Sequence, residues 1–482
     1  MKNKNPSPLA GENKMRTMPV GRLLLTMALP LALSMLVQAF YNIVDTYFVS
    51  LVSTDATGAL SFAFPIQNLQ IGCATGIAVG VNSLLSKSLG ENNRERANQA
   101  AGNGIVLMLI LVAGFMLFGA FGTRGYYAMF NINEVTRDYG ISYTSICCIF
   151  TLGIFVEVMG ERLLQASGRT VYTLFTQGTG AVLNIILDPL FILGSAGLEE
   201  RFGIVLPFEF KAYGVAGAAI ATVIGQWVAA IMAVFFNLTK NHDVKFSLHY
   251  MKLDKSIASK ILVVGVPSIV MMAIGSVMNF CMNQVFLSFS DVYGQTPANV
   301  FGIYFKLQSL FLMPLFGINN ASISILAYNY GAQLPKRITG TLKCGFFTAF
   351  TIMLLGCAVF QLIPDKLMGI FGSSGDESAT QLVKLGVTAM RIVSIHFPIA
   401  AVGISLGASF QAMGNGIYAT IVSLCRQLVA LVPAAYLLSL TGSVDAVWWS
   451  FPIAEVVSAL VSLICFARIY RDKIKPLFLE KN

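Results

Sequence analysis

Residues 23–45 read LLLTMALPLALSMLVQAFYNIVD. The part from Leu23 to Tyr41 carries no charge and approaches the roughly 20 apolar residues with which an α-helix crosses a bilayer. Comparable runs recur along the chain, the last from Val447 to Phe466. These runs are expected to be helical, because a lipid-exposed strand leaves backbone groups unpaired and the alternating pattern of a barrel is missing. The sequence therefore predicts an all-α integral membrane protein.

The composition agrees with a protein whose main solvent is lipid. Of the 482 residues, 56% are hydrophobic and 11% are charged, whereas soluble domains carry about 25% charged residues. The apolar runs predict about twelve transmembrane helices. Their expected starts lie near residues 20, 59, 101, 139, 171, 213, 258, 298, 343, 384, 417 and 447.

The net charge of +9 is distributed as in a membrane protein rather than a nucleic-acid-binding protein. Basic residues collect at the N-terminus, in alternate connections and at the C-terminus. The positive-inside rule then predicts a multi-pass protein of the cell membrane with both termini in the cytoplasm. The opposite connections hold only Arg124, Arg137, Arg201, Lys211, Lys366 and Lys384.

The chain contains an internal repeat. Pro30 and Pro267 occupy matching places in the first and seventh helices, and the same offset of 237 places Asn42 on Asn279. Two further pairs recur in the same order: Gly76–Gly90 with Gly317–Gly331, and QASG at 165–168 with QAMG at 411–414. Six helices per repeat predict two lobes related by a pseudo-twofold axis along the membrane normal, with a cavity between them, as in transporters.

The repeat also predicts the division of the chain. The longest basic connection, Lys240 to Lys260, separates six helices from six. The expected segments are a flexible cytoplasmic N-terminus (1–19), an N-lobe (20–240), a cytoplasmic linker (241–257), a C-lobe (258–470) and a cytoplasmic tail (471–482).

Polar residues inside the spans are candidate functional residues, because a buried charge in lipid is expensive. Gln38, Asn42 and Asp45 follow each other at i, i+4 and i+7, and therefore share one face of the first helix. Asn184 and Asp188 do the same in the fifth helix. Their oxygens suit a hard cation such as sodium, and a desolvated carboxylate equally suits a proton.

The two repeated prolines are expected to kink their helices, since each lacks an amide hydrogen and its ring clashes with the preceding turn. A first helix that bends at Pro30 could link the charge state of Asp45 to the shape of the lobes, while a static kink remains the alternative. The other embedded charges are less informative. Glu157, Glu161 and Arg162 are expected to pair near the cytoplasmic interface, and a role in cavity lining or mutual pairing stays open for Lys306, Arg391, His396, Arg426 and Glu455.

Enzyme signatures are missing from the sequence: it has no Walker A motif, no H-E-x-x-H and no G-x-S-x-G. The protein is therefore not expected to be an enzyme or to need a cofactor. An ion gradient is expected to supply the energy for transport.

Taken together, Pro30 with the N-I-V-D run at 42–45, the two Gly-ending segments and the paired Q-A-x-G motifs resemble the bacterial multidrug and toxic compound extrusion (MATE) family over essentially the whole chain. The resemblance implies an efflux antiporter that exchanges protons or sodium for cationic, often amphipathic compounds. It also implies an N-lobe ion site formed by Asp45, Asn184, Asp188 and Thr222, of which the threonine is implied by the resemblance alone.

The C-lobe departs from relatives that carry acidic residues in the seventh and tenth helices. At the proline offset, Asp45 corresponds to Met282, which precedes Asn283, so a second ion site is not expected in this lobe. The residues expected to line the substrate cavity are Gln38, Asn42, Asn279, Met282 and Asn283.

The expected partners are small organic cations and the lipid bilayer, with the protein itself a monomer and no nucleic acid bound. The choice between sodium and proton stays open. Two rival functions also stay open at this point. One is a flippase or exporter of lipid-linked or anionic precursors, which would need a cationic cavity for a pyrophosphate. The other is a channel or a receptor without transport activity, against which the duplicated six-helix lobes with a proline in their first helices argue.

Overall fold

The computed structural model describes residues 13–130, 132–205, 207, 209–369 and 377–479. Within these residues, ten helices are long and apolar enough to cross a membrane, and two further pairs of helices, bent by 47° and 50°, each make one more span. The prediction of an all-α protein with about twelve transmembrane helices is therefore confirmed.

The twelve spans follow each other with short connections. They are α1 (Val20–Ser50), α2 (Thr54–Gly90), α3 (Arg94–Leu117, continued through the π-helical Phe118–Gly122 to Thr123–Ala128), α4 (Glu134–Ile149 and Leu152–Ala166), α5 (Val171–Phe202), α6 (Val215–Lys240), α7 (Lys255–Leu287), α8 (Thr296–Gly331), α9 (Pro335–Leu362), α10 (Glu377–Ser394 and Phe397–Ala412), α11 (Gly416–Leu424, the π-helical Cys425–Leu431 and Val432–Ser439) and α12 (Ser450–Ile469).

Several helices begin five to eight residues before the start expected from hydrophobicity, notably α2, α3, α4, α9 and α10. The first turns of α2, α3 and α4 are polar and lie beyond the apolar run. They are stabilised by N-cap side chains, since Ser53, Asn93 and Asn133 each accept a hydrogen bond from a backbone amide in the turn that follows. An apolar pattern marks the membrane-embedded part of a helix and not its full length.

The internal repeat is visible in the backbone. Gly168 and Gly414, the last residues of the two Q-A-x-G motifs, both have φ = 76°, a left-handed conformation that favours glycine after a helix. Two residues after each Gly-ending segment, Asn92 and Gln333 have φ values of 58° and 52°. The two six-helix lobes therefore end equivalent helices in the same way.

The lobes are joined most tightly at one end of the bundle. Because twelve spans alternate in direction, α1 begins and α12 ends at this same end, which is called the terminal face below. Residues 76–86 of α2 and 320–329 of α8, both near this face, are buried without interruption. Across the boundary, Ser83 Oγ donates to the carbonyl of Gln411 (2.8 Å) and Ser324 Oγ donates to Asn82 Oδ1 (3.0 Å). Toward the other end, α2 exposes Phe64.

Helices α1 and α7 each contribute to both lobes. The first half of α1, with Leu23 and Leu31, packs in the hydrophobic core of the C-lobe, whereas Val49 near its end packs in a core of the N-lobe. In α7 the arrangement is reversed, because Ile261 joins an N-lobe core and Phe286 the C-lobe core. The two repeated prolines thus lie in the helices that connect the lobes.

Parts of the two terminal segments contact the helical bundle. Residues 1–12 and 480–482 lie outside the described part of the chain. Residues 13–19 include the short helix Lys14–Thr17, in which Met15 is fully buried. In the C-terminal segment, Lys473 Nζ donates to the carbonyl of Met413 (2.6 Å). Backbone and apolar contacts hold these parts of both ends against the bundle.

Candidate ion and substrate site

The site in the N-lobe depends on a close approach of α5 and α6. A Cβ atom at Gly217 would lie 2.2 Å from the carbonyl oxygen of Phe191, and one at Gly225 would lie 2.8 Å from that of Gly180. Both positions must therefore remain glycine for the helices to pack at this distance. The approach brings the polar face of α5 against Thr222, which lies between the two glycines on α6.

Asn184, Asp188 and Thr222 form a buried hydrogen-bonded group. They are 3%, 0% and 8% exposed. With its amide nitrogen toward the carboxylate, Asn184 donates to Asp188 Oδ2 (2.8 Å) and accepts from Thr222 Oγ1 (3.3 Å). The asparagine thus holds the carboxylate and the hydroxyl on either side of one amide. Three of the four residues expected to form the ion site are in direct hydrogen-bond contact.

Asp45, the fourth residue, faces this group from α1. Its carboxylate interacts electrostatically with Asp188. Its Oδ1 is buried and has no hydrogen-bond partner among the described residues. A buried carboxylate oxygen without a partner loses its hydration without compensation, at a cost of about 1–3 kcal/mol or more. A proton or a cation at this position would supply the missing interaction.

Residues that the sequence did not single out complete the surroundings of Asp45. Tyr41, on the same helix, and Tyr143 of α4 both interact electrostatically with its carboxylate. Gln67 of α2 donates from Nε2 to the Tyr143 hydroxyl (2.9 Å). A tyrosine in an apolar run is usually an interfacial or packing residue, so neither tyrosine could be recognised from the sequence. Gln67, a polar residue in an apolar stretch, was the available signal.

The residues expected to line the substrate cavity are in different environments. Gln38 is half-buried on α1, and the side chain of Asn42 lies outside the described part of the structure. On α7, Asn279 donates to the carbonyl of Gly275 (3.2 Å) and Asn283 donates to that of Asn279 (3.0 Å), so both amides bond the backbone of their own helix. Met282 is fully buried in the C-lobe core, where it packs with other apolar side chains instead of facing an open surface.

A second polar group lies in the N-lobe nearer the terminal face. Glu161 is 4% exposed and accepts hydrogen bonds from Thr176 Oγ1 (2.7 Å) and Gln177 Nε2 (2.9 Å) of α5. Arg162, its neighbour in sequence, donates instead to Gln165 (3.1 Å). Glu161 and Arg162 were expected to pair near the membrane interface. Instead, Glu161 points into the lobe and accepts its hydrogen bonds from α5.

The embedded charges of the C-lobe separate into two kinds. Arg426 of α11 and Glu455 of α12 form an ion pair inside the lobe, with 3.6 Å between Nη1 and Oε2. Arg391, in contrast, lies 4.0 Å from Asp365 in a pair that is largely exposed. Two other residues complete the set named from the sequence: Lys306 is exposed, and His396 is buried with Nδ1 2.6 Å from the carbonyl of Val393.

Comparison with known proteins identifies the family and the fold. The MatE family model matches residues 30–190 and 267–437, so that its two matches begin at the repeated prolines. Among similar sequences, an FAD transporter of Shewanella oneidensis is 23% identical over 93% of this chain and 94% of its own length. The multidrug export protein MepA of Staphylococcus saprophyticus is 22% identical over 93% of each chain.

Solved structures share the fold over almost the full length. A MATE protein in complex with MaL6 superimposes with a TM-score of 0.87 at 23% identity, covering 98% of this chain and 100% of the other. An outward-facing multidrug resistance MATE family transporter gives 0.86 at 22% identity, covering 99% and 100%. With the family model matched over both lobes, the chain belongs to the MatE family of multi-pass membrane transporters.

Proposed function

We propose that the protein is a secondary active antiporter that exports amphipathic organic cations in exchange for sodium ions or protons. The observation that carries the proposal is the buried, unpartnered oxygen of Asp45 beside the hydrogen-bonded group of Asp188, Asn184 and Thr222. Two carboxylates, an amide and a hydroxyl offer the oxygen ligands that a sodium ion prefers. A proton on one carboxyl group would equally relieve the repulsion between them.

Helix α1 links this site to the position of the lobes. Asp45 lies in the half of α1 that packs in the N-lobe, and Leu23 and Leu31 lie in the half that packs in the C-lobe. Pro30 separates the halves and cannot donate to the carbonyl of Thr26, so bending there breaks no existing hydrogen bond. Binding of the ion at Asp45 therefore changes the interactions of the helix that joins the lobes, and alternating access follows from their rocking.

The positive-inside rule assigns the terminal face to the cytoplasm. The lobes then meet on the cytoplasmic side, in an arrangement closed to the cytoplasm. In an antiporter the incoming ion and the outgoing solute must favour opposite states, because a ligand that binds both states equally shifts neither. Entry of the ion from outside would reset the protein for the next solute.

The names of the relatives point to two classes of solute. Several relatives are named multidrug export proteins, and this favours the export of varied organic compounds. One relative is named an FAD transporter, and FAD carries phosphates. For a flippase of lipid-linked pyrophosphates, the carboxylate of Asp45 in α1 is unfavourable, because an anionic head group calls for several cationic side chains.

The test is efflux of a fluorescent organic cation from proteoliposomes under a separately imposed sodium or proton gradient. Asp45→Asn keeps the shape of the side chain and removes its charge, so gradient-driven efflux should fall to the level of protein-free liposomes. Asp365→Asn, at an exposed carboxylate, is the matched control and should keep the wild-type rate. Equal rates for folded Asp45→Asn and wild type would overturn the N-lobe coupling site. Absence of efflux under either gradient from folded wild-type protein would overturn the assignment of organic cations.

A further inference from the structure

Arg426 is a charged residue in the middle of a span. It lies ten residues after the start of α11, and at about 1.5 Å per residue this corresponds to roughly half of the ~30 Å hydrocarbon core. An arginine at this depth is costly in free energy unless it faces the protein interior. It also lies in the π-helical turn Cys425–Leu431, an irregularity that is frequent at functional sites.

The guanidinium of Arg426 is directed into the C-lobe. It pairs with Glu455 of α12 and interacts electrostatically with Tyr304 of α8 and His396 of α10. The next residue, Gln427, faces Gly275 of α7, with Oε1 3.6 Å from the position of a Cβ there. Residues of four helices of the lobe therefore lie near this part of α11.

The ion pair leaves most of the guanidinium available. The contact with Glu455 joins Nη1 to Oε2 over 3.6 Å, whereas a guanidinium carries five N–H donors in a planar fork. The side chain of Arg426 is 36% exposed and that of Glu455 only 6%. The cation is therefore the more accessible member of the pair.

The carboxylate of Glu455 packs against α10. Ser458 Oγ lies 3.4 Å and Glu455 Oε1 lies 3.9 Å from the position of a Cβ at Gly403 of α10. The carboxylate therefore lies against α10, near the hydroxyls of Ser458 and Ser462. It neutralises the arginine when no ligand is bound, without occupying the arginine's exposed side.

We propose that Arg426 is an oxyanion-binding residue of the C-lobe, which receives the carboxylate or phosphate group of a transported organic solute. The planar fork of an arginine matches both groups by paired hydrogen bonds, which are stronger than neutral ones. The inference rests on the proposed transport function and extends it to solutes that carry an anionic group. The oxyanion of such a solute binds in the C-lobe, while the coupling ion binds separately in the N-lobe.

The test compares two dyes that differ in one group. Rhodamine B carries a free carboxylate, and its ethyl ester has the same ring system and the same cationic charge without it. Binding to purified protein is measured by fluorescence anisotropy, with no gradient and no transport step. For wild type, rhodamine B should bind more tightly than the ester. Arg426→Gln should lower the affinity ratio of acid to ester by about tenfold, the size expected for a charge-assisted hydrogen bond.

Two further variants separate binding from a structural role. Glu455→Gln removes the competing carboxylate and should keep or raise the preference for the acid. The double variant Arg426→Gln with Glu455→Gln leaves no unpaired charge, so it can be used if Arg426→Gln alone does not fold. It should lose the preference for rhodamine B over the ester. A double variant with the wild-type preference would overturn the proposal, and so would a Glu455→Gln variant that loses the preference as fully as the double variant. Efflux of the ester under an ion gradient tests the proposed function separately, since the ester lacks the oxyanion.

Discussion

Gly90 and Gly331 contact each other's helices in a reciprocal way at the terminal face. A Cβ atom at Gly90 would lie 2.0 Å from the carbonyl oxygen of Tyr328, and one at Gly331 would lie 2.1 Å from that of Lys87. Each carbonyl belongs to the residue three positions before the partner glycine. The pseudo-twofold axis therefore passes between α2 and α8 at this point, where only glycine allows the two backbones to meet.

Gly331→Val should open the terminal face, because its side chain cannot occupy the space of the Lys87 carbonyl. Spin labels at Arg94 and Lys336, two exposed positions after α2 and α8, report the separation by double electron–electron resonance in a background free of native cysteines. The distance distribution should shift to longer values. Gly302→Val, in the same helix, is the control because nothing lies within 4 Å of a Cβ there. An unchanged distribution in folded Gly331→Val would contradict the role of this contact.

Thr222→Val should weaken binding of the coupling ion without unfolding the protein. The substitution keeps the shape of the side chain and removes the hydroxyl that lies 3.3 Å from Asn184. Loss of one neutral hydrogen bond is worth about 1 kcal/mol, so the ion concentration for half-maximal efflux should rise about fivefold. Thr239→Val on the same helix is the control, since its hydroxyl bonds the carbonyl of Phe235 (2.8 Å). A wild-type ion dependence in Thr222→Val would exclude the threonine from the site.

The parts of the fold that follow from local pattern were predicted from the sequence. The apolar runs predicted the spans, because each run consists of residues close together in the chain. The duplicated Pro30 and Pro267 predicted the two lobes, because a repeat can be recognised from the sequence itself. The spacing of Asn184 and Asp188 likewise placed both side chains on one face of α5. Spacing along the chain is sufficient to predict that two side chains share a face wherever both residues lie on the same helix.

Contacts between helices were predicted less well. Thr222 entered only through the family resemblance, since its contact with Asn184 depends on Gly217 and Gly225 and on how α6 rotates against α5. Tyr143 approaches Asp45 from α4 for the same kind of reason. Met282 lies at the position equivalent to Asp45, yet it is buried in the C-lobe core. The periodicity of one helix does not determine its rotation about its own axis against a neighbour.

Pro30→Ala and Pro267→Ala should have different effects, although the two positions are equivalent in the repeat. Alanine restores the amide that proline lacks and stiffens either helix, so the maximal rate of efflux should fall in both variants. Only α1 carries a carboxylate of the ion site in its second half, because Met282 replaces Asp45 in α7. Pro30→Ala should therefore also change the ion dependence of efflux, whereas Pro267→Ala should not. Identical changes of ion dependence in both variants would contradict an ion site that is confined to the N-lobe.

Arg337→Gln should release the N-terminal segment from the terminal face. Arg337 Nη2 donates to the carbonyls of Met15 (2.9 Å) and Met18 (2.7 Å), and its Nε donates to Asn329 (3.0 Å). On the other side of the same segment, Lys14 Cε lies 3.1 Å from the position of a Cβ at Gly168, in the N-lobe. Residues 14–18 thus contact both lobes.

Hydrogen–deuterium exchange of a peptide covering residues 14–20 measures this release. Hydrogen bonds from a charged donor are each worth about 1.5–3 kcal/mol, so exchange in Arg337→Gln should accelerate by about tenfold or more. Lys336→Gln is the control, since it removes a neighbouring charge at an exposed position. If both variants exchange at the wild-type rate, burial of Met15 alone holds the segment. If only Arg337→Gln accelerates, the hydrogen bonds of Arg337 hold the segment against the terminal face.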